Sequence, residues 1–94
     1  MMVFSGHASQ HLAVNLADFL HVEYRLVEID CFADQESQVY IPSVVFGQDV
    51  IIVQSISTPS NNRLMELLLM VDGAKRAGCG RVIVVAPYLG YSRQ

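Results

Sequence analysis

The sequence predicts an α/β domain: a mostly parallel sheet with flanking helices and one protruding hairpin or flap. Two short β-branched runs, residues 49–55 and 81–86, are apolar at nearly every central position, as strands covered on both faces are. Two longer stretches repeat apolar residues at the three-to-four spacing of a helix. The resulting order of strand, helix, strand, strand, strand, helix, strand is the alternation that builds a parallel core with right-handed crossovers.

Met2-Val3-Phe4-Ser5 reads as the first strand, and Gly6 begins the turn that ends it. Ser9 stands at an N-cap position, and Leu12, Leu16, Phe19 and Leu20 then mark the predicted core face of a helix. Residues 24–31 alternate as a strand with one polar side, and residues 37–41 make a short partner before Pro42. After the run at 49–55, Ser57-Thr58-Pro59-Ser60-Asn61-Asn62 supplies loop and capping chemistry. Leu64, Leu67, Leu68, Val71 and Ala74 carry a second helix to about Ala77. Gly78 or Gly80 closes that helix, and Pro87 stops the last strand.

Ninety-four residues make one domain or a piece of one, residues 1–94 forming a single unit with no linker, repeat or low-complexity tract. The chain is 52% apolar and 16% charged, which is too hydrophobic for disorder and points to apolar surface facing a partner, hence to a homo-oligomer. Six basic against nine acidic residues give a net charge of −3, and no Lys/Arg cluster offers a nucleic-acid footprint. Apolar runs are too short for a membrane helix, and the first residues lack the basic start and long apolar stretch of a secretory signal. Cys31 and Cys79 have no companions at metal-ligand spacing and read as reduced thiols of a cytoplasmic protein.

Most catalytic motifs are missing. There is no Gly-rich phosphate loop, and Gly78 and Gly80 follow a helix instead of opening one. His7 and His11 stand four apart, but a helix capped between them at Ser9 would not present both on one face, so they and His21 read as surface histidines. No nucleophile elbow surrounds a serine, and Asp30 beside Cys31 disfavours its thiolate. Glu66 and Asp72 read as a solvated edge or helix-pairing contacts. Neither a catalytic residue nor a metal ligand is assigned within the chain. Phe32, Asp34 and Glu36 alternate, so a stacking ring and two acceptors could share one side; on spacing alone, a buried Phe beside two solvated acids fits better. Arg93 and Gln94 add a cation and an amide beyond the last strand, where open α/β folds seat ligands.

Five stretches in order resemble the N-terminal domain of ribose-phosphate diphosphokinases, the phosphoribosyl pyrophosphate synthetases. They are Phe4-Ser5-Gly6; Phe32-Ala33-Asp34-Gln35-Glu36; the segment from Gly47 to Ser55; the helix from Asn62 to Asp72 with its Leu64-Met65-Glu66-Leu67-Leu68 core; and Pro87-Tyr88-Leu89-Gly90-Tyr91-Ser92-Arg93-Gln94. The resemblance implies a phosphoribosyltransferase-like fold and an enzyme that moves the diphosphoryl group of ATP to ribose 5-phosphate with Mg2+. It further implies that Phe32, Asp34 and Glu36 reach an adenine across a subunit interface, reversing the reading from spacing, and that Arg93 and Gln94 contact ATP of their own subunit. Phe32 would stack, the acids would read the amino edge, and Arg93 would meet the charge on the transferred group.

In family members the basic catalytic loop, the magnesium-binding His and Asp and the loop gripping ribose 5-phosphate lie downstream of the Arg-Gln pair. None has a counterpart in these 94 residues, so the fragment alone is expected to be inactive. The family's Ser-Val-Arg-Gly is Val44-Val45-Phe46-Gly47 here, and a Val and a Phe cannot hold the allosteric phosphate or ADP that a hydroxyl and a guanidinium hold. That departure suits either a catalytic subunit with weak phosphate activation or, alternatively, a non-catalytic synthetase-associated regulatory domain.

Overall fold

The computed structural model describes residues 1–6, 9–31, 37–41, 45–55 and 60–87. Six strands and two helices follow one another as β1 Met2–Ser5, α1 Gln10–Leu20, β2 Glu23–Leu26, β3 Glu28–Cys31, β4 Ser37–Tyr40, β5 Val50–Val53, α2 Ser60–Arg76 and β6 Val82–Val85. Four of the strands form a sheet in the order β2-β1-β5-β6, every neighbouring pair parallel, while β3 and β4 pair antiparallel as a separate hairpin.

Alternation along the central strands assigns the two faces. Met2, Phe4, Val50 and Ile52 join Leu67, Met70 and Ala74 of α2 in one buried cluster. Val3, Ile51 and Val53 meet Ala13 and Ala17 of α1 in the other. The helices therefore cover opposite faces, and the chain reverses its winding between β1 and β5. Both central strands are buried at every residue, as their largely apolar runs require, and Ser5 is their one polar side chain.

Five expectations need correction. The alternating stretch at 24–31 is two strands. Val27 still donates its N–H to Ser5 O at 2.9 Å and is fully buried, but the next residue belongs to the hairpin. A buried valine between two polar-sided segments anchors the departure, and period-two alternation runs straight through it.

The predicted core face of α1 is the wrong stripe. Ala13 and Ala17 are buried and Leu16 is half-buried, whereas Leu12, Phe19 and Leu20 are exposed, Phe19 at 81%. Small residues let the helix lie close on the sheet, and apolar bulk was an unreliable guide to which stripe faces in. On α2, Leu67, Val71 and Ala74 face the core as expected; Leu64 and Leu68 do not, and Met70 takes part instead.

The last strand is an edge. Ile83 and Val84, on opposite faces of β6, are 40% and 43% exposed, so the coverage expected from its composition is absent among the described residues. Finally, Ser9 precedes α1 but makes no side-chain cap; its Oγ accepts the Ser55 N–H instead, at 2.8 Å.

Both helices end in the same motif. After α2, the N–H groups of Gly78 and Cys79 return to the carbonyls of Lys75 and Ala74, with Gly78 at φ +85°. After α1, His21 and Val22 return to Asp18 and Ala17, with His21 taking the left-handed position at φ 57°. A β-carbon on Gly78 would also lie 2.6 Å from the ring of Phe46.

Candidate functional site

Open parallel sheets seat ligands beyond the carboxyl ends of their strands, at the point where the winding reverses. Here that point lies between Ser5-Gly6 after β1 and Gln54-Ser55 after β5. The Ser9–Ser55 bond joins the start of α1 to the end of β5 across it. Beside it, the buried Ser5 hydroxyl and the Tyr24 hydroxyl lie 2.8 Å apart, tying β1 to β2.

On the α2 side, Gln54 is fully buried. Its Nε2 donates to Arg63 O at 3.3 Å and to Glu66 Oε1 at 3.0 Å, and Arg63 Nη1 donates to that same oxygen at 3.3 Å. Glu66 is therefore a half-buried acceptor for two donors, which corrects its reading as a solvated edge. Gln54 had drawn no attention in the sequence. The available signal was register: on the α2-facing series Val50, Ile52, Gln54, an amide follows two valine- and isoleucine-type positions and must find partners. Asp72 matches its reading more closely, pairing with Arg76 one turn on at an exposed site.

The opposite edge of the sheet is held by a different device. Asp49 accepts the Arg81 N–H at 2.9 Å and Arg81 Nη2 at 3.1 Å, clipping β6 to β5 where both begin. The main-chain N–H of Arg81, followed by its guanidinium, holds the Asp49 carboxyl below the usual aspartate range. This pair lies at the amino ends of the strands, away from the ligand edge, and is structural.

The five residues assigned to ATP, Phe32, Asp34, Glu36, Arg93 and Gln94, lie outside the described residues. The fold describes only what precedes and follows them. Residues 32–36 link β3 to β4, which pair from Glu28↔Tyr40 to Cys31↔Ser37, and residues 93–94 come after β6 in the chain. Val44 also lies outside. Val45 is fully buried, and Phe46 is 77% exposed with its ring against Gly78. Among the described residues, no group of three or more His, Cys, Asp or Glu side chains could hold a metal ion. An open depression of about 330 Å³ runs along the outer side of α1, where Gln10, His11, Val14 and Asn15 line it. No described helix is long and apolar enough to cross a membrane.

Comparison with known proteins places this geometry. The family model for the N-terminal domain of ribose phosphate pyrophosphokinase matches residues 1–94. Ribose-phosphate pyrophosphokinases of Agrobacterium fabrum and Thermotoga maritima are 46% and 45% identical over 94 residues, all of this chain and 30% of each relative. A phosphoribosylpyrophosphate synthetase from Mycobacterium smegmatis superposes with a TM-score of 0.84 at 34% identity, over 96% of this chain and 30% of that one. A purine phosphoribosyltransferase from Pyrococcus horikoshii, at 13% identity and TM-score 0.63 over 99% of this chain and 66% of that one, shares the fold. The sequence thus spans about a third of the length of the synthetases it matches, and its resemblance to them extends from the first residue to the last. This chain belongs to the family of ribose-phosphate pyrophosphokinase N-terminal domains.

Proposed function

We propose that the chain serves as the N-terminal part of a ribose-phosphate pyrophosphokinase, contributing to an ATP site of an enzyme that moves a diphosphoryl group from ATP to ribose 5-phosphate. The match of the family model along all 94 residues carries this reading. The antiparallel hairpin supports it: β3 and β4 leave the parallel sheet as a unit, and the chain between them bears Phe32, Asp34 and Glu36. In this reading Phe32 stacks on the adenine of a neighbouring subunit, and the two acids accept from its amino edge. Arg93 and Gln94 hold ATP of their own subunit, the guanidinium opposing charge on the transferred group.

Mg2+ supplies charge neutralisation for the phosphoryl chain. Among the described residues no group of three or more His, Cys, Asp or Glu could hold the ion, and the family resemblance puts its ligands in other parts of the complete enzyme. The working assembly is a cytoplasmic homo-oligomer, consistent with the exposed apolar side chains on both helices and on β6. The 94 residues alone turn nothing over. Phe46, where the family has an arginine, leaves the assembly only weakly activated by phosphate.

The test is a chimera in which this chain replaces the matching N-terminal segment of the Thermotoga maritima relative. Coupled AMP-release assays should show magnesium-dependent turnover with ATP and ribose 5-phosphate. Within it, Arg93→Ala should lower kcat by about 100-fold or more, and Phe32→Ala should act chiefly on the KM for ATP. A folded chimera that binds no ATP would sink the proposal. If the chimera is silent but the free chain co-elutes with an active synthetase and alters its rate, the regulatory reading replaces it.

A further inference from the structure

Hydrogen bonds from three other elements converge on the carboxyl end of β5. The main-chain N–H of Gln54 donates to Val85 O, at the end of β6, at 3.0 Å, and the N–H of Ser55 donates to Ser9 Oγ, just ahead of α1, at 2.8 Å. The Gln54 side chain reaches α2, where Nε2 donates to Glu66 Oε1 at 3.0 Å and to Arg63 O at 3.3 Å. Val50 and Ile52, which precede Gln54 on the α2-facing side, meet that helix by packing within the larger buried cluster. An apolar side chain in place of Gln54 would fill the same buried position and need no partner. What the amide adds is direction, because a hydrogen bond fixes orientation as well as distance.

Glu66 is the group on which this arrangement turns. Its Oε1 also accepts from Arg63 Nη1 at 3.3 Å, so the acceptor for Gln54 is itself oriented by its own helix. A continuous path of bonded groups then runs from α2, through the side chain and backbone of Gln54, to Val85, the last residue of β6. Arg93 and Gln94 follow that strand in the chain. We propose that Glu66 is a positioning residue: acting through Gln54, it fixes the end of β6 and so the point from which the segment bearing Arg93 departs. Glu66 touches no substrate in this scheme; it sets where a cation meets the transferred group. The inference rests on the proposed role of Arg93 at ATP and adds α2 as the element that governs it.

The chimera with the Thermotoga maritima relative provides the test. Glu66→Ala should lower kcat by about 10- to 100-fold with the KM for ATP nearly unchanged, as when an interaction made only in the transition state is lost. Glu66→Gln keeps an acceptor oxygen at the same length and should restore most of the rate. Should Glu66→Ala not fold, Gln54→Leu breaks the same path with a side chain that needs no partner, and should give the same loss. On an Arg93→Ala background either variant should lower kcat by no more than about 2-fold, because residues that act as a unit are not additive. A merely structural role would reduce the active enzyme equally on both backgrounds. The inference is overturned if the losses add to that of Arg93→Ala, or if Glu66→Gln is as impaired as Glu66→Ala. An active chimera in which Arg93→Ala lowers kcat but Glu66→Ala and Gln54→Leu do not removes Glu66 alone and leaves the enzyme reading standing. If Arg93→Ala changes nothing, or the folded chimera shows no turnover, that reading fails and the inference goes with it.

Discussion

The two faces of the sheet are packed by opposite means. Toward α2, large side chains interlock: Phe4, Met2, Ile52 and Met70 are fully buried, and Ile41 and Val71 extend the cluster. Toward α1, two alanines bring the helix down onto Val3, Ile51 and Val53, and the helix turns its Leu12, Phe19 and Leu20 outward. One face gains its stability from volume and the other from proximity. Each is therefore exposed most to a different kind of substitution.

Phe4→Ala should be the most damaging change, costing about 3–5 kcal/mol in urea or thermal unfolding, because it empties the centre of the voluminous face. On the close face the harmful direction is enlargement: Ala17→Leu should cost about 1–3 kcal/mol by forcing α1 off the sheet. If Ala17→Leu is neutral, α1 is not closely seated and the contrast collapses. The helix ends offer a finer version of the same comparison. Since Gly78 fills the left-handed position after α2 and His21 fills it after α1, His21→Gly should raise stability by about 0.5–1 kcal/mol, read as an increase in Tm.

Smaller effects follow at the rim. The depressed pKa of Asp49 means that its contribution is complete above the ordinary aspartate value and is lost as pH falls through the lower, folded value. The stability difference between the native chain and Asp49→Asn should therefore be flat from neutral to mildly acid pH and shrink below about pH 4, the unperturbed aspartate range. A difference that grows on acidification would contradict the Arg81 clip. Phe19→Gln should be the mildest, within about 0.5 kcal/mol in unfolding, because the ring makes little contact within the chain. Sedimentation over a concentration series should then show whether the exposed stripe contributes to association.

The contrast also explains what could be read in advance. Composition and order were enough for the parallel core, since β5 is apolar throughout and β1 is apolar up to Ser5, as strands covered on both faces are. Helix α2 was legible in part because Leu67, Val71 and Ala74 obey the rule that bulk faces inward. Helix α1 was misread because Ala13 and Ala17 are weak hydrophobic signals whose value lies in how near the backbone can come. The break at Val27 was hidden because a chain can change sheets without changing its alternation. β6 was misread because an edge and a centre can share a composition. The five residues proposed for ATP were found by resemblance, and spacing by itself had favoured a blander account of Phe32, Asp34 and Glu36. The Gln54 cluster was missed because a single amide after an apolar run shows no pattern until α2 is folded over it.

The seat of the hairpin rests on an absence of one atom. Strand β4 lies against α2, and where it ends Ile41 approaches the helix at Gly73 so closely that a β-carbon there would stand 2.9 Å from its Cγ1. The side chain that matters at position 73 is the one it lacks. Gly73 acts as a spacer gauge of single-carbon fineness, setting how near the hairpin stands to the helix and hence the angle at which that arm is presented. An alanine there would change the tilt of the arm before it changed any chemistry.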